Sequence, residues 1–427
     1  MRTINLILGI MVTASSVLCT TVFAQNVYQS EYQRAIQGAL SNVQNNGAVV
    51  ASPSRVQPDY YYDWVRDTSL TMKNLVEIAY DAKTSPNLRS DLLARIDRWI
   101  EWELNLQVTP KTVEPGIGNV DLGEPRFYLN GTTNMEPWGR PQNDGPALRA
   151  QTAMLVANKW IDDGRISDVN AKLYKGVLPA TTLIKRDLEY VAHHWQNQSI
   201  DLWEEERGMH FYTLTVQKAA LSKGAVLANR LGDASGANFY AAQAKAIDQY
   251  LQRFFDKNTG TYVYALDVGK RLPQKTTMLD ISILLAAIET YDGQFYVPIS
   301  KLMPTVQALV AKFTTEYKIN STMTKNKKGE PLGIALGRYP GDVYSGFDFS
   351  GGNPWFLSTL ALAEFACDMN KVANHTQALA QFNRVLYHMN ASGDLSEQFN
   401  RTSGFEQGAH DLTWSYTAYM TAYRACF

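Results

Sequence analysis

Tyr60-Tyr61-Tyr62-Asp63-Trp64-Val65-Arg66-Asp67 runs straight into a helical pattern in which Met72, Leu75, Val76 and Ala79 recur at i, i+3, i+4 and i+7. Aromatic residues and a charged pair thus stand where a helix begins. The same junction returns along the chain. Trp138-Gly139-Arg140-Pro141-Gln142-Asn143-Asp144-Gly145 leads into a helical pattern over 145–163, and Asp201-Leu202-Trp203-Glu204-Glu205-Glu206 into one over 208–231. Gly337-Arg338-Tyr339-Pro340-Gly341-Asp342-Val343-Tyr344 lies shortly before another at 352–369. Ser396-Glu397-Gln398 and Asp411-Leu412-Thr413-Trp414 lead into a last one at 411–424.

Between these junctions the chain reads as helix after helix, with room only for short strands. Apolar periodicity predicts helices at 28–44, 67–82, 87–108, 145–163, 179–195, 208–231, 234–256, 276–291, 298–317, 352–369, 374–389 and 411–424. Leu231-Gly232-Asp233 suits a glycine C-cap on the sixth, and Pro298 the first turn of the ninth. The expected fold is all-α, a closed barrel of six inner and six outer helices. A superhelical array is the alternative, but no motif repeats at a fixed period. The unusual junctions precede every even-numbered helix except the eighth. If even helices form the inner ring, these residues gather at one mouth of the barrel.

Composition narrows the function. The net charge of −1 is spread without a basic stretch, which argues against a nucleic-acid partner. No His/Cys cluster has metal-ligand spacing; His193 and His194 are adjacent. Gly351-Gly352 lacks the strand–turn–helix context of a phosphate loop, so no cofactor or metal is expected. Arg2, the apolar run Ile4–Val12 and Ala24 predict a signal peptide over 1–24, followed by one catalytic unit over 25–427 with no membrane span. Cleavage there removes Cys19 and leaves Cys367 and Cys426, which either pair or stay buried as free thiols. Asn130, Asn197, Asn320, Asn374, Asn390 and Asn400 begin Asn-x-Ser/Thr sequons.

Two of the junctions carry candidate acid–base carboxylates. Hydrolysis of a glycosidic bond needs two carboxyls: one protonates the leaving oxygen, the other activates water or attacks the anomeric carbon. Glu204, Glu205 and Glu206 follow Trp203, and a neighbouring tryptophan can desolvate an acid and keep it protonated. Three glutamates at a helix start also favour the helix dipole, a purely structural alternative. Glu397 lies beside Gln398, with Trp414 soon after. Arg66 and Asp67 could form a structural ion pair or grip sugar hydroxyls, with Tyr60 and Trp64 as a stacking wall. Gly139 and Pro141 suggest a rigid turn around Trp138 and Arg140, and Arg338 and Tyr344 are ambiguous singly.

Taken together, Asp201-Leu202-Trp203-Glu204-Glu205, Trp138-Gly139-Arg140-Pro141-Gln142, Gly337-Arg338-Tyr339-Pro340, Gly352-Asn353-Pro354-Trp355-Phe356 and Asp411-Leu412-Thr413-Trp414-Ser415-Tyr416 resemble the glucoamylases of glycoside hydrolase family 15. The resemblance implies an (α/α)6 barrel. It implies Glu204 as general acid and Glu397 as general base, with Tyr60, Trp64, Arg66, Asp67, Trp138, Glu205, Arg338, Tyr344 and Trp414 around the sugar. It also implies a secreted exo-hydrolase, probing chain ends of starch, glycogen or maltooligosaccharides, that inverts the anomeric centre and releases β-D-glucose. α-1,4 linkages would be cut faster than α-1,6. Inversion goes with carboxyls about 6.5–9.5 Å apart. A trehalase or isomaltooligosaccharide hydrolase on the same scaffold, or a non-catalytic sugar-binding module, are the alternatives. Glu206 and Gly341 depart from the family pattern, as do residues 399–410. The chain stops just after the twelfth helix, so no starch-binding domain is expected, and a monomer is.

Overall fold

The computed structural model describes residues 27–369 and 375–427. The predicted signal peptide, Cys19 and the Asn374 sequon lie outside the described residues. All twelve predicted helices are present: α1 (27–42), α2 (Val65–Ala79), α3 (Pro86–Val108), α4 (Gly145–Asp162), α5 (Leu183–His194) and α6 (Phe211–Arg230). Then come α7 (Ala234–Leu251), α8 (Ser282–Thr290), α9 (Ile299–Glu316), α10 (Phe356–Met369), α11 (His375–His388) and α12 (Thr413–Cys426). The strands are two to four residues long and pair only in small antiparallel ribbons.

The even helices form the inner ring. Each packs on the next, α2 on α4, α4 on α6, α6 on α8, α8 on α10 and α10 on α12, and α12 closes onto α2. Their sequences explain the position. Every residue of α10 from Phe356 to Cys367 is buried, as a helix must be when apolar all round. The outer helices show one stripe: Leu302, Val306, Leu309 and Phe313 on α9 are buried while the opposite face is wet. Small polar residues on α2 do not break the core, because they bond within the ring. Thr71 Oγ1 donates to the Asp67 carbonyl and lies 3.1 Å from Thr417 on α12, and Thr152 on α4 donates to the Ser69 carbonyl. Arg149 ties the inner ring to the outer one through Glu103 on α3 and Asp187 on α5.

Helix starts account for the differences from the periodicity. Ser85 caps α3 with Pro86 in its first turn, and Asp233 caps α7. Gly232 follows α6 as expected, whereas Pro298 is the residue before α9 rather than inside it. The sixth helix begins at Phe211, later than its pattern suggests, because Arg207–His210 form a strand that pairs with Ser199–Ile200. Cys367 on α10 and Cys426 on α12 are joined by a disulfide that fastens two neighbouring inner helices. Asn320 is buried and donates to the Phe313 and Ala335 carbonyls, so its sequon is closed to modification in the folded chain.

Candidate active site

One cavity opens where the inner helices begin. It is lined by Tyr60, Trp64, Arg66 and Asp67 before and within α2, Trp138 before α4, and Leu202, Trp203, Glu204 and Glu205 before α6. Arg338, Tyr344 and Trp355 come from the segment before α10, and Glu397, Leu412 and Trp414 from that around the start of α12. The two carboxyls and the nine sugar-contacting residues that the resemblance implies all lie on this wall, whereas Arg140, Glu206 and Gln398 do not. The segment before α8, silent in the sequence, contributes beneath the wall through Lys275 and Asp280.

The three glutamates do not begin a helix. Residues 201–206 are the turn of the Ser199–His210 hairpin, so the helix dipole is not what places them there. Asp201 Oδ1 accepts from the Glu205 and Glu206 amides, the Glu204 amide donates to the Asp201 carbonyl, and Glu204 adopts φ +66. A non-glycine residue held there needs support from its surroundings. The turn sends Glu204 and Glu205 to the cavity and Glu206 away from it.

Glu204 Oε1 accepts from Trp64 Nε1 and from Gln142 Nε2, both at 2.8 Å, with Arg66 Nη2 at 3.9 Å. Gln142 is itself aimed by Arg66 Nη1, which donates to its Oε1 at 3.0 Å and to Asp144 Oδ2 at 2.9 Å. Asp67 lies 3.6 Å from Arg66 Nε; burial lifts its carboxyl to about 6 although Arg66 pulls it down. Across the cavity, Glu397 is fully buried. Its Oε1 accepts from the Tyr60 hydroxyl at 2.9 Å and its Oε2 from Gln398 Nε2 at 3.1 Å. Burial pushes Glu397 up to about 7, against the Tyr60 hydrogen bond and the charge of Arg338. The Tyr60 and Tyr344 hydroxyls are 3.1 Å apart. Tyr60 also meets Trp64 edge-on at 5.7 Å, so a contact chain runs from Glu397 through Tyr60 and Trp64 to Glu204.

Arg338 grips Asp342 with Nε and Nη2 at 2.8 and 2.7 Å and donates to Glu205 Oε1 at 2.8 Å. Burial raises the Glu205 pKa, opposed by Arg338 and Lys275. Trp414 stacks on Trp203 at 6.2 Å, and Trp203 is anchored through Nε1 to Asp280. Trp138 lies on the cavity wall, covered by the Arg126 guanidinium at 3.7 Å, whereas Arg140 is buried in a framework with Glu124. The rigid-turn expectation thus holds for Arg140 and not for Trp138.

Gln142, Arg126, Trp355 and Lys275 were not singled out by the sequence. Gln142 and Trp355 stand inside the quoted motifs, so the signal was present but not used. Lys275 had none: its side chain is 1% exposed, 3.5–3.6 Å from Asp201, Glu205, Glu206 and Asp280, and over the rings of Tyr264 and Tyr339. It explains one departure from the family pattern. Glu206 is buried, but Lys275, the Tyr264 hydroxyl and the Leu272 amide satisfy it. The departure at Gly341 has a backbone reason: it has φ +85, and a Cβ there would meet the Gln274 carbonyl oxygen at 2.7 Å.

A family model described as glycosyl hydrolases family 15 matches residues 26–374. The chain belongs to glycoside hydrolase family 15. A probable glucoamylase of Schizosaccharomyces pombe is 31% identical over 98% of this chain and 96% of its own length. A glucoamylase of Blastobotrys adeninivorans is 35% identical over 88% of this chain, which spans 66% of that relative. A sporulation-specific relative from Saccharomyces cerevisiae, 30% identical over 88% of this chain and 78% of its own, is described as intracellular, so family 15 membership does not fix location. Among solved structures, the Saccharomycopsis fibuligera glucoamylase superposes with a TM-score of 0.80 at 27% identity, covering 94% of this chain and 95% of its own. The family 15 glucoamylase of Hypocrea jecorina gives 0.79 at 29% identity, covering 94% and 72%. These neighbours share the (α/α)6 barrel. Glu397 lies beyond the span of the family model, so its place in the site rests on its contacts.

Proposed function

We propose that this family 15 chain is an exo-acting glucoamylase that removes terminal glucose from the non-reducing ends of α-glucans with inversion, releasing β-D-glucose. The observation that carries the reading is the presence in one cavity of Glu204 and Glu397, each held by named donors. Glu204 acts as general acid. Trp64 and Gln142 both donate to its Oε1, so Oε2 is the oxygen left free to carry the transferred proton. That proton passes to the glycosidic oxygen as the bond to the anomeric carbon breaks. Glu397 acts as general base: it takes a proton from a water that attacks the same carbon from the opposite face. Tyr60 aims the Glu397 carboxylate through its 2.9 Å hydrogen bond.

Arg66 and Asp67 take hydroxyls of the terminal glucose, with Tyr60 and Trp64 as its wall. Glu205, Arg338, Trp138, Tyr344 and Trp414 complete the pocket for that sugar and the next. α-1,4 bonds are the main substrate and α-1,6 bonds the slower one. The chain works as a monomer outside the cytoplasm. The Arg2–Ala24 pattern and the Cys367–Cys426 disulfide support export, since disulfides persist in oxidising compartments.

The deciding experiment follows the anomeric protons of newly released glucose by NMR with maltose and maltotriose. β-Glucose at early times is the expected result. Initial α-glucose refutes inversion, and absence of release refutes the hydrolytic reading.

A further inference from the structure

The cavity wall continues outward onto an aromatic surface. Six large aromatic side chains are exposed among the described residues; Tyr387 lies apart in a depression with Tyr28 and Asn326, and the other five are Tyr128, Trp138, Phe347, Phe349 and Phe405. Single exposed apolar residues are ordinary, but clustered ones mark a contact surface. Trp138 and Phe349 line the cavity itself, and Tyr128 packs on Tyr62, which meets Trp64 edge-on. Phe347, 56% exposed, shares a loop with Phe349, 77% exposed, and Phe405, 78% exposed, lies in the turn of the neighbouring hairpin.

That loop is firmly built. Ser345 Oγ donates to Asp348 Oδ1 at 2.6 Å, the Ser345 amide to the Asp348 carbonyl at 2.8 Å, and the Ser350 amide to Asp348 Oδ1 at 2.9 Å. It is joined to the hairpin as well. Asn353 Nδ2 donates to the Ser345 carbonyl at 3.2 Å and to Gln398 Oε1 at 3.0 Å, and Gln407 Nε2 donates to the Ser345 carbonyl. Gly346, at φ +92, lies so close to Gly408 that a Cβ would come within 2.7 Å of its Cα. Gly408 in turn lies against the Glu397 carboxyl. The two phenylalanines, the hairpin and the buried carboxyl therefore share one framework.

We propose that Phe347 and Phe349, with Phe405 on the adjoining hairpin, form a platform for the glucose units that follow the scissile bond in longer chains. The proposal rests on the glucan reading above and extends it from the terminal sugars to the chain that trails from the mouth. The apolar faces of successive glucose rings fit aromatic faces held at the exit of the cavity. A platform whose backbone is already fixed loses little freedom on binding. Phe349 belongs to both the cavity and the outer surface, so a chain leaving the pocket meets it first.

The test compares wild type with Phe347→Ala/Phe349→Ala, and separately with Phe405→Ala. The expected result for the double variant is a fall of about fivefold in the ratio of kcat/KM for maltoheptaose to that for maltose, with a smaller fall for Phe405→Ala. Binding measured by calorimetry in a Glu204→Gln background should show a matching loss of maltoheptaose affinity relative to maltose. Unchanged ratios in both measurements overturn the platform. Failure of the wild type to release glucose overturns the hydrolytic reading instead, and the calorimetric comparison still decides the platform.

Discussion

Glu397 is held between opposing forces: burial disfavours its charge, and the Tyr60 hydroxyl, Gln398 and the Arg338 charge favour it. A base must be ionised to accept a proton, so activity is lost as pH falls through its pKa. With that pKa near 7, against 4.5 for an ordinary glutamate, the acid limb of kcat/KM is expected well above the usual glutamate range. Tyr60→Phe removes a donor that lowers the pKa, so the limb should move to higher pH; a limb that stays or moves down contradicts this. Glu204→Gln and Glu397→Gln should each lower kcat by about 10²–10⁴ with an unchanged circular dichroism spectrum. Near-normal turnover in either variant would remove that residue from the chemistry. At this scale the sequence went far, because Trp64, Arg66, Asp67 and Glu204 stand in dense motifs. It did not show that Gln142, aimed by Arg66, shares the work of fixing Glu204.

The hairpin turn at 201–206 is the element on which the acid depends. Asp201, Glu205, Glu206 and Asp280 surround Lys275, the cation that approaches all four. Removing one partner of a buried ionic group costs about 3–5 kcal/mol, because the remaining charges stay buried. Lys275→Met is therefore expected to lower the unfolding free energy measured in urea by an amount of that order. Adding Glu206→Val should recover part of the loss by deleting one uncompensated carboxylate. A double variant no more stable than Lys275→Met would show that Glu206 is not held by this charge. Lys275 was illegible in the sequence: in Leu272-Pro273-Gln274-Lys275 it reads as a solvated loop lysine, and only the folding of two distant loops onto each other buries it. The same holds for the turn itself, which propensity reads as the start of a helix.

Across the whole molecule, ring closure is the decisive event. α12 packs on both α10 and α2, and the Cys367–Cys426 disulfide fastens the α10 side of that closure. The 59-residue separation corresponds to about 4 kcal/mol of unfolded-state entropy in the loop model. Cys367→Ser/Cys426→Ser should melt earlier than wild type, and reductant should lower the wild-type transition but not that of the variant. Equal melting of the two proteins would show that packing alone closes the ring. The sequence by itself determined the twelve helices, since apolar periodicity is local and burial follows it. It also determined that unusual residues stand at alternate helix starts, which implied one mouth. Only the tertiary structure decided which carboxyl meets which donor, that Cys367 pairs with Cys426, that Lys275 is buried, and that Phe347 and Phe349 are left exposed at the exit. Each of these depends on distances between segments far apart in the chain, and periodicity carries no information about such distances.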